Sequence, residues 1–469
     1  SPRQARYVRI TVNGNSVNEW ASITEARACS GSSAPSPTAP TADSGPTLPR
    51  KPYLQSVGTT SAIVAFRTST SCTPFVRYGE GTDISRSASA TVAGYRHAVR
   101  LDGLSAGSTY SYVVEACGSV MGVRTFQTAT VPGTSRVRFT AMGDFGTGGS
   151  AQRKVLQVLG KPARAGEFLL TLGDNAYSSG TEAEFQSNMV TPMADLLRVT
   201  PLFTTPGNHE YITSKAQPYL DNFYLPANNP ANTERYYSFD WGPVHFVSLD
   251  SNCVSYPTKE CTNALQQDWL AKDLAATRQP WKIVFFHHPP WSSGDHGSSS
   301  SMRKAFVPLF EQYGVDLVLT GHDHNYERSK SMKGDTVAAT GTPGIPYLVV
   351  GSGGATIRPF ETSKPSWSAF RDDTNMGYLD VTVDGGTLTA NFITASDSVR
   401  DTLTLKKTVN SVAPAMLSAM PLADTPPGPV DSPYQQPDFL RLGPVSPADT
   451  LELVADAPEP AHQFVRDQP

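Results

Sequence analysis

Apolar and polar positions change rhythm several times along the chain, and each change marks a different kind of structure. In residues 1–29, Tyr7, Val8, Ile10 and Val12 give RYVRITVNGN a strand-like pattern, too short to bury a core by itself. Ser, Pro and Thr dominate residues 30–46, the composition of a semi-extended linker. Across 47–131, short runs such as SAIVAFRT, FVRYG and YSYVVEA are separated by turn residues, which predicts an all-β region. Alternation within it puts Tyr110, Tyr112 and Val114 on one inward face and the residues between them outside.

A different rhythm holds over 136–407. The apolar runs RVRFTAMGD, EFLLTLGD, PLFTTPGNHE, WKIVFFHH and DLVLTGHDH each end in a polar loop. Helix-like stretches lie between them, among them Ala264 to Ala276 and Met302 to Tyr313. Strands alternating with helices predict an α/β (α+β layered) fold with ligands at the carboxyl ends of the strands. After Tyr347 the pattern returns to strands, as in YLDVTVDG and LTANFITA. Residues 408–469 are rich in Pro and lack sustained periodicity, and from Val409 onward they carry eight acidic and two basic residues. That composition predicts a disordered or extended tail rather than a domain.

Length and charge narrow the classes. A chain of 469 residues exceeds one ordinary core. The net charge of -4 argues against a nucleic-acid partner, which needs a basic face. No apolar run approaches the ~18 residues of a membrane helix. The five cysteines, Cys29, Cys72, Cys117, Cys253 and Cys261, form no CxxC pair, so a thiolate zinc site is disfavoured. Cys253 and Cys261 bracket a short polar loop, while Cys72 and Cys117 fall in the β-rich region. The preferred reading is two disulfides with Cys29 left over, and free buried thiols are the alternative. Disulfides imply an oxidising compartment, hence a secreted or periplasmic protein. No secretory signal heads the sequence, yet it begins inside a strand-like pattern, as a mature or cut fragment does.

Candidate chemistry concentrates in five loops: GDFG at Gly143–Gly146, GDNAY at Gly173–Tyr177, GNHE at Gly207–Glu210, VFFH at Val284–His287 and GHDH at Gly321–His324. Each follows a strand-like run, and the leading glycines let backbone pack close to an ion. In this order the loops resemble those of the purple acid phosphatases within the calcineurin-like metallophosphoesterases. The resemblance implies a metallophosphoesterase β-sandwich flanked by helices, with two ions at one edge. It further implies that Asp144, Tyr177 and His324 hold the first ion, that Asn208, His287 and His322 hold the second, and that Asp174 bridges them. LSAGSTYSYVV, with Leu104, Tyr110 and Tyr112, is similar to a fibronectin type III-like sandwich. Residues 1–29 resemble the closing strands of a discoidin-like module; an extra strand on the next domain is the plain alternative.

Donor chemistry supports the same division. Two carboxylates, a phenol and an imidazole suit a hard trivalent ion, Fe(III), which can ionise a phenol whose ordinary pKa is near 10. An amide oxygen, two imidazoles and the shared carboxylate suit a divalent ion such as Zn, Mn or Fe. The expected reaction is cleavage of phosphate monoesters by metal-activated hydroxide attacking phosphorus in line. By the same resemblance His209 contacts phosphate, and His296 in WSSGDHG stands near the leaving group, although PP and a single histidine depart from the family's plant pattern. His288 is expected to point to the face opposite His287 and to support a ligand or lie in the core, Asp323 to point away from the ions, Glu210 to support a ligand or loop, and His97 to be structural. Alternative readings are a phosphodiesterase or nucleotide-cleaving relative with two divalent ions, and a surface- or glycan-binding protein acting through the N-terminal segment.

Overall fold

The computed structural model describes residues 42–131, 136–360 and 363–409. The discoidin-like remnant, Cys29 and all but the first two residues of the tail therefore lie outside the described residues. The end of the expected linker lies inside them and is docked: Ser44 pairs with Val120, and Asp43 accepts hydrogen bonds from Gly122 N at 2.8 Å and Arg198 at 2.8 Å.

The β-rich region builds two antiparallel sheets. One orders Arg50–Gln55, Ser61–Cys72 and Gly94–Asp102. The other centres on Thr109–Ala116, flanked by Phe75–Glu80 on one edge and by Ser119–Val120 and Arg124–Gln127 on the other. Leu54, Val64, Val76, Val99, Val114 and Phe126 fill the core. The expected alternation is incomplete, because Ser111 and Val113 are buried along with Tyr110, Tyr112 and Val114. Both faces of this strand are covered, and Tyr112 Oη donates to Arg198 O of the next region at 2.7 Å. A disulfide joins Cys72 to Cys117 and another joins Cys253 to Cys261.

From Arg136 onward two large sheets face each other. The first runs Leu202–Thr205, Phe168–Leu172, Arg136–Met142, Gly377–Asp384, Thr387–Thr394, Val399–Lys406. Its first three strands are parallel and the rest antiparallel. The second runs Tyr237–Trp241, Val244–Ser248, Trp281–Phe285, Leu317–Thr320, Tyr347–Val350, Tyr326–Ser329, Ser368–Asp372, with a parallel centre. Parallel strands buried on both faces read as continuous apolar runs, which is why they were legible. Between the sheets Phe246 meets Phe139 edge-on at 5.1 Å and Phe168 at 5.3 Å, and Tyr326 stacks on Phe392 at 4.1 Å.

Helices cover the sheets as the pattern predicts. Asn263–Ala276 starts at Thr262, whose Oγ1 accepts from Leu265 N at 3.2 Å, and it buries Trp269, Leu270 and Leu274. Ser300–Gln312 starts at Ser299, whose Oγ accepts from Met302 N at 3.3 Å. The β-rich and α/β regions pack within a single unit.

Candidate metal centre

All five loops leave the carboxyl ends of parallel strands. Arg136–Met142 leads to Asp144, Phe168–Leu172 to Asp174 and Tyr177, and Leu202–Thr205 to Asn208 and His209. Trp281–Phe285 leads to His287, and Leu317–Thr320 to His322 and His324. Asp144 (φ 56°), Asp174 (φ 51°) and His322 (φ 74°) have left-handed backbone. That costs a residue with a Cβ roughly 1–2 kcal/mol, and Asp, Asn and His bear it best. Neighbouring glycines make the room: a Cβ on Gly207 would stand 2.0 Å from Asp174 Oδ1, and one on Gly321 2.4 Å from Asp144 Oδ2.

Two groups of donors result. Tyr177 Oη lies 3.2 Å from Asp144 Oδ1, 3.0 Å from Asp174 Oδ2 and 3.1 Å from His324 Nε2. His287 Nε2 lies 2.9 Å from Asn208 Oδ1, 3.2 Å from His322 Nδ1 and 3.4 Å from Asp174 Oδ2. Donors about 2.0–2.2 Å from one ion and near right angles stand roughly 3 Å apart, so each group has the spacing of a coordination sphere. Asp174 Oδ2 belongs to both.

The outer faces of the rings are fixed. His287 Nδ1 faces Leu172 O at 2.9 Å and His324 Nδ1 faces Thr356 O at 3.0 Å, so each Nδ1–H donates and each Nε2 turns inward. His209 Nδ1 likewise faces Ser178 O at 2.5 Å.

Local charge favours cations. Burial works against a charge on His287, yet Asp174 and Asp144 beside it hold its pKa at about 10. Burial and the neighbouring histidines keep His322 well below the ordinary value, and burial with Arg358 pushes His324 down to about 4, which leaves both as neutral donors. Burial opposes charge on Asp174, but His287 and His209 outweigh it and keep this carboxyl below the usual range. Burial, then the two carboxylates, push the Tyr177 phenol far up, so only a strong Lewis acid can ionise it. The donor set thus fits two ions, the harder one beside Tyr177. A second cluster, Asp250 with Cys253 and Cys261, offers no thiolates because the two sulfurs are bonded to each other.

Around the donors stand residues that hold them. Glu210 accepts from the backbone N–H of Gly207 at 2.7 Å, Asn175 at 2.8 Å, and Asp174 and Ala176 at 3.1 Å, and so ties two ligand loops together. Burial, then the charge of Asp174, raises its carboxyl to about 7. Asp323 is turned to the loop that follows Trp291, accepting from His296 N at 2.8 Å and from Ser292 Oγ. His288 stands behind the ligand histidines, on their side of the strand rather than the opposite one. Its ring lies 5.0 Å from His287 and 4.4 Å from His322, with Nδ1 against Ser251 Oγ at 2.8 Å. The strand ends at Phe285, so strict alternation no longer governs it. His97 is bonded to Thr68 Oγ1 at 2.9 Å in the β-rich core.

Exposed His296 stacks on His322 at 4.2 Å. Its Nε2 accepts from Arg358, whose NH1 also meets Asp295 Oδ2 at 3.1 Å. Sequence reading passed over Arg358. It sits in an irregular stretch after Tyr347–Val350 with no motif of its own, and reaches the site because its N–H donates to His324 O at 3.1 Å.

Residues 137–326 match the family model described as calcineurin-like phosphoesterase, and residues 344–402 that described as iron/zinc purple acid phosphatase-like protein C. The chain is 27% identical to Purple acid phosphatase 18 of Arabidopsis thaliana, over 69% of this chain and 76% of that one. It is 27% identical to Acid phosphatase type 7 of Danio rerio, over 61% and 70%. In fold it is similar to purple acid phosphatase PPD1 from yellow lupin (Lupinus luteus) seeds, with a TM-score of 0.66 and 20% identity over 80% of this chain and 76% of that one.

Proposed function

Because the chain belongs to the calcineurin-like metallophosphoesterases, in the purple acid phosphatase branch, and is a binuclear-metal hydrolase of phosphate monoesters, we propose how its residues divide that work. Asp144, Tyr177 and His324 would hold Fe(III). Asn208, His287 and His322 would hold a divalent ion (Zn, Mn or Fe), with Asp174 shared by both sets. The observation that carries this reading is Tyr177 Oη, within 3.2 Å of two carboxylates and an imidazole.

When bound, the ions supply Lewis acidity, drawing charge off the phosphate oxygens and lowering the pKa of water. The side chains then orient and protonate. His209, its Nδ1–H committed to Ser178 O, meets a phosphate oxygen on the Tyr177 side through Nε2, which must carry a proton to donate there; Nε2 stands 3.8 Å from Asp174 Oδ2. His296, fixed through its backbone by Asp323 and accepting at Nε2 from Arg358, carries its proton on Nδ1 and donates that Nδ1–H to the departing alkoxide on the His322 side. Two disulfides support a secreted or periplasmic setting.

The test is metal analysis and a visible spectrum of the purified protein, with rates on matched mono- and diesters. One iron with a phenolate-to-iron band, and faster monoester cleavage, is expected. Two divalent ions without that band would instead favour the phosphodiesterase or nucleotide-cleaving reading.

A further inference from the structure

We propose that Arg358 is a specificity-determining residue that selects monoesters whose leaving alcohol carries its own anionic group, a carboxylate or a second phosphate. The inference deepens the phosphatase reading and rests on it.

Three observations converge on Arg358. Its position is set at both ends: the backbone N–H is bonded to His324 O at 3.1 Å, and NH1 lies between Asp295 Oδ2 and His296 Nε2. Only NH1 is used in this way. Nε and NH2 have no hydrogen-bond partner among the described residues, and the side chain remains 34% exposed, so an open edge of the guanidinium meets solvent. That edge matches the two oxygens of a carboxylate or phosphate in parallel, which a point charge does not.

Direction follows from the neighbours. His209 packs against Tyr177 at 4.5 Å, while His296 stacks on His322 at 4.2 Å and stands 6.5 Å from His324. Arg358 adjoins His296, so a phosphate between the two histidines directs its alcohol toward Arg358. Asp295 is 44% exposed, and water screens its claim on the guanidinium. An anion brought in by the substrate can therefore fork the open edge without displacing the latch.

The experiment compares phenyl phosphate with 4-carboxyphenyl phosphate, and binding of phenylphosphonate with 4-carboxyphenylphosphonate, in wild type, Arg358→Ala and Arg358→Lys. In Arg358→Ala the preference for the carboxylated ester falls about tenfold or more, the scale of one charged hydrogen bond, and the change lies in KM. Binding of the carboxylated phosphonate weakens by a similar factor relative to its neutral partner, and Arg358→Lys recovers part of both. Equal losses on both esters, a change confined to kcat, or an unchanged preference would overturn the proposal. A wild type that cleaves neither ester refutes the phosphatase reading instead, while the two phosphonates still report on Arg358.

Discussion

At the scale of single residues, the centre joins atoms that need a cation to atoms that hold them in place. Asp174 is the test of the first kind. Asp174→Asn keeps a residue type that accepts left-handed backbone but removes the charge shared by both donor groups. We expect it to lose both ions and more than about a hundredfold in rate, since a ligand exceeds the 10–100-fold effect of an outer-shell partner. Metal analysis showing two tightly held ions and an ordinary rate would refute it. Glu210 tests the second kind. Glu210→Ala leaves four backbone N–H groups around Asp174 and Gly207 without their acceptor, and stability falls by about 3 kcal/mol in denaturant unfolding. The donor residues were legible because their types are chemically narrow and each ends an apolar run. Arg358 was not, since an arginine in an irregular stretch says nothing of where the chain folds it back.

Elements behave differently, because burial on two sides gives strands a signal that loops lack. The sheet strands ending in the five loops match the apolar runs closely. The inward-outward reading of Tyr110 to Val114 held only for one face, since Val113 and Ser111, whose Oγ donates to Gly81 O, are buried too, and such cover leaves no local mark. The edge strand Tyr237–Trp241 is tied to the helix Asn263–Ala276 through His245, whose Nδ1 meets Asp240 Oδ1 at 2.6 Å and Nε2 meets Asp273 Oδ2 at 2.8 Å. Burial opposes the charge on His245, but the two carboxylates raise its pKa from 6.5 to about 9. A folded pKa above the unfolded one gives stabilisation that is complete below pH 6.5 and fades as pH rises through about 9. Asp240 is 44% exposed, so the contribution is discounted to about 2 kcal/mol. Unfolding measured from pH 6 to 10 should show this decline, and His245→Gln should remove that part of the slope.

For the molecule as a whole, the seam between the β-rich and α/β regions carries a charge cluster built around one buried arginine. Arg50, 1% exposed, donates to Gln186 Oε1 at 2.8 Å, to Glu182 Oε1 at 2.9 Å and to Asn222 Oδ1. Arg67 and Arg96 also pair with Glu182. Arg50→Met should lower stability by about 2–3 kcal/mol, less than the loss of an isolated buried partner because two arginines remain. Calorimetry should show the melting point fall by roughly 5 °C. An unchanged melting point would mean that the seam contributes nothing measurable.

Glu182 opens the helical turn just beyond Tyr177, and on that turn Glu184 accepts from Ser178 N at 2.6 Å and Ser179 N at 3.1 Å. The β-rich region is therefore not an exchangeable cassette. A chimera that imports this region from a relative without arginines at these three points leaves Glu182 lacking its counter-charges, two residues from the carboxylate that steadies the Tyr177 loop. Recombination between such relatives is constrained to crossovers that carry the arginines and Glu182 together.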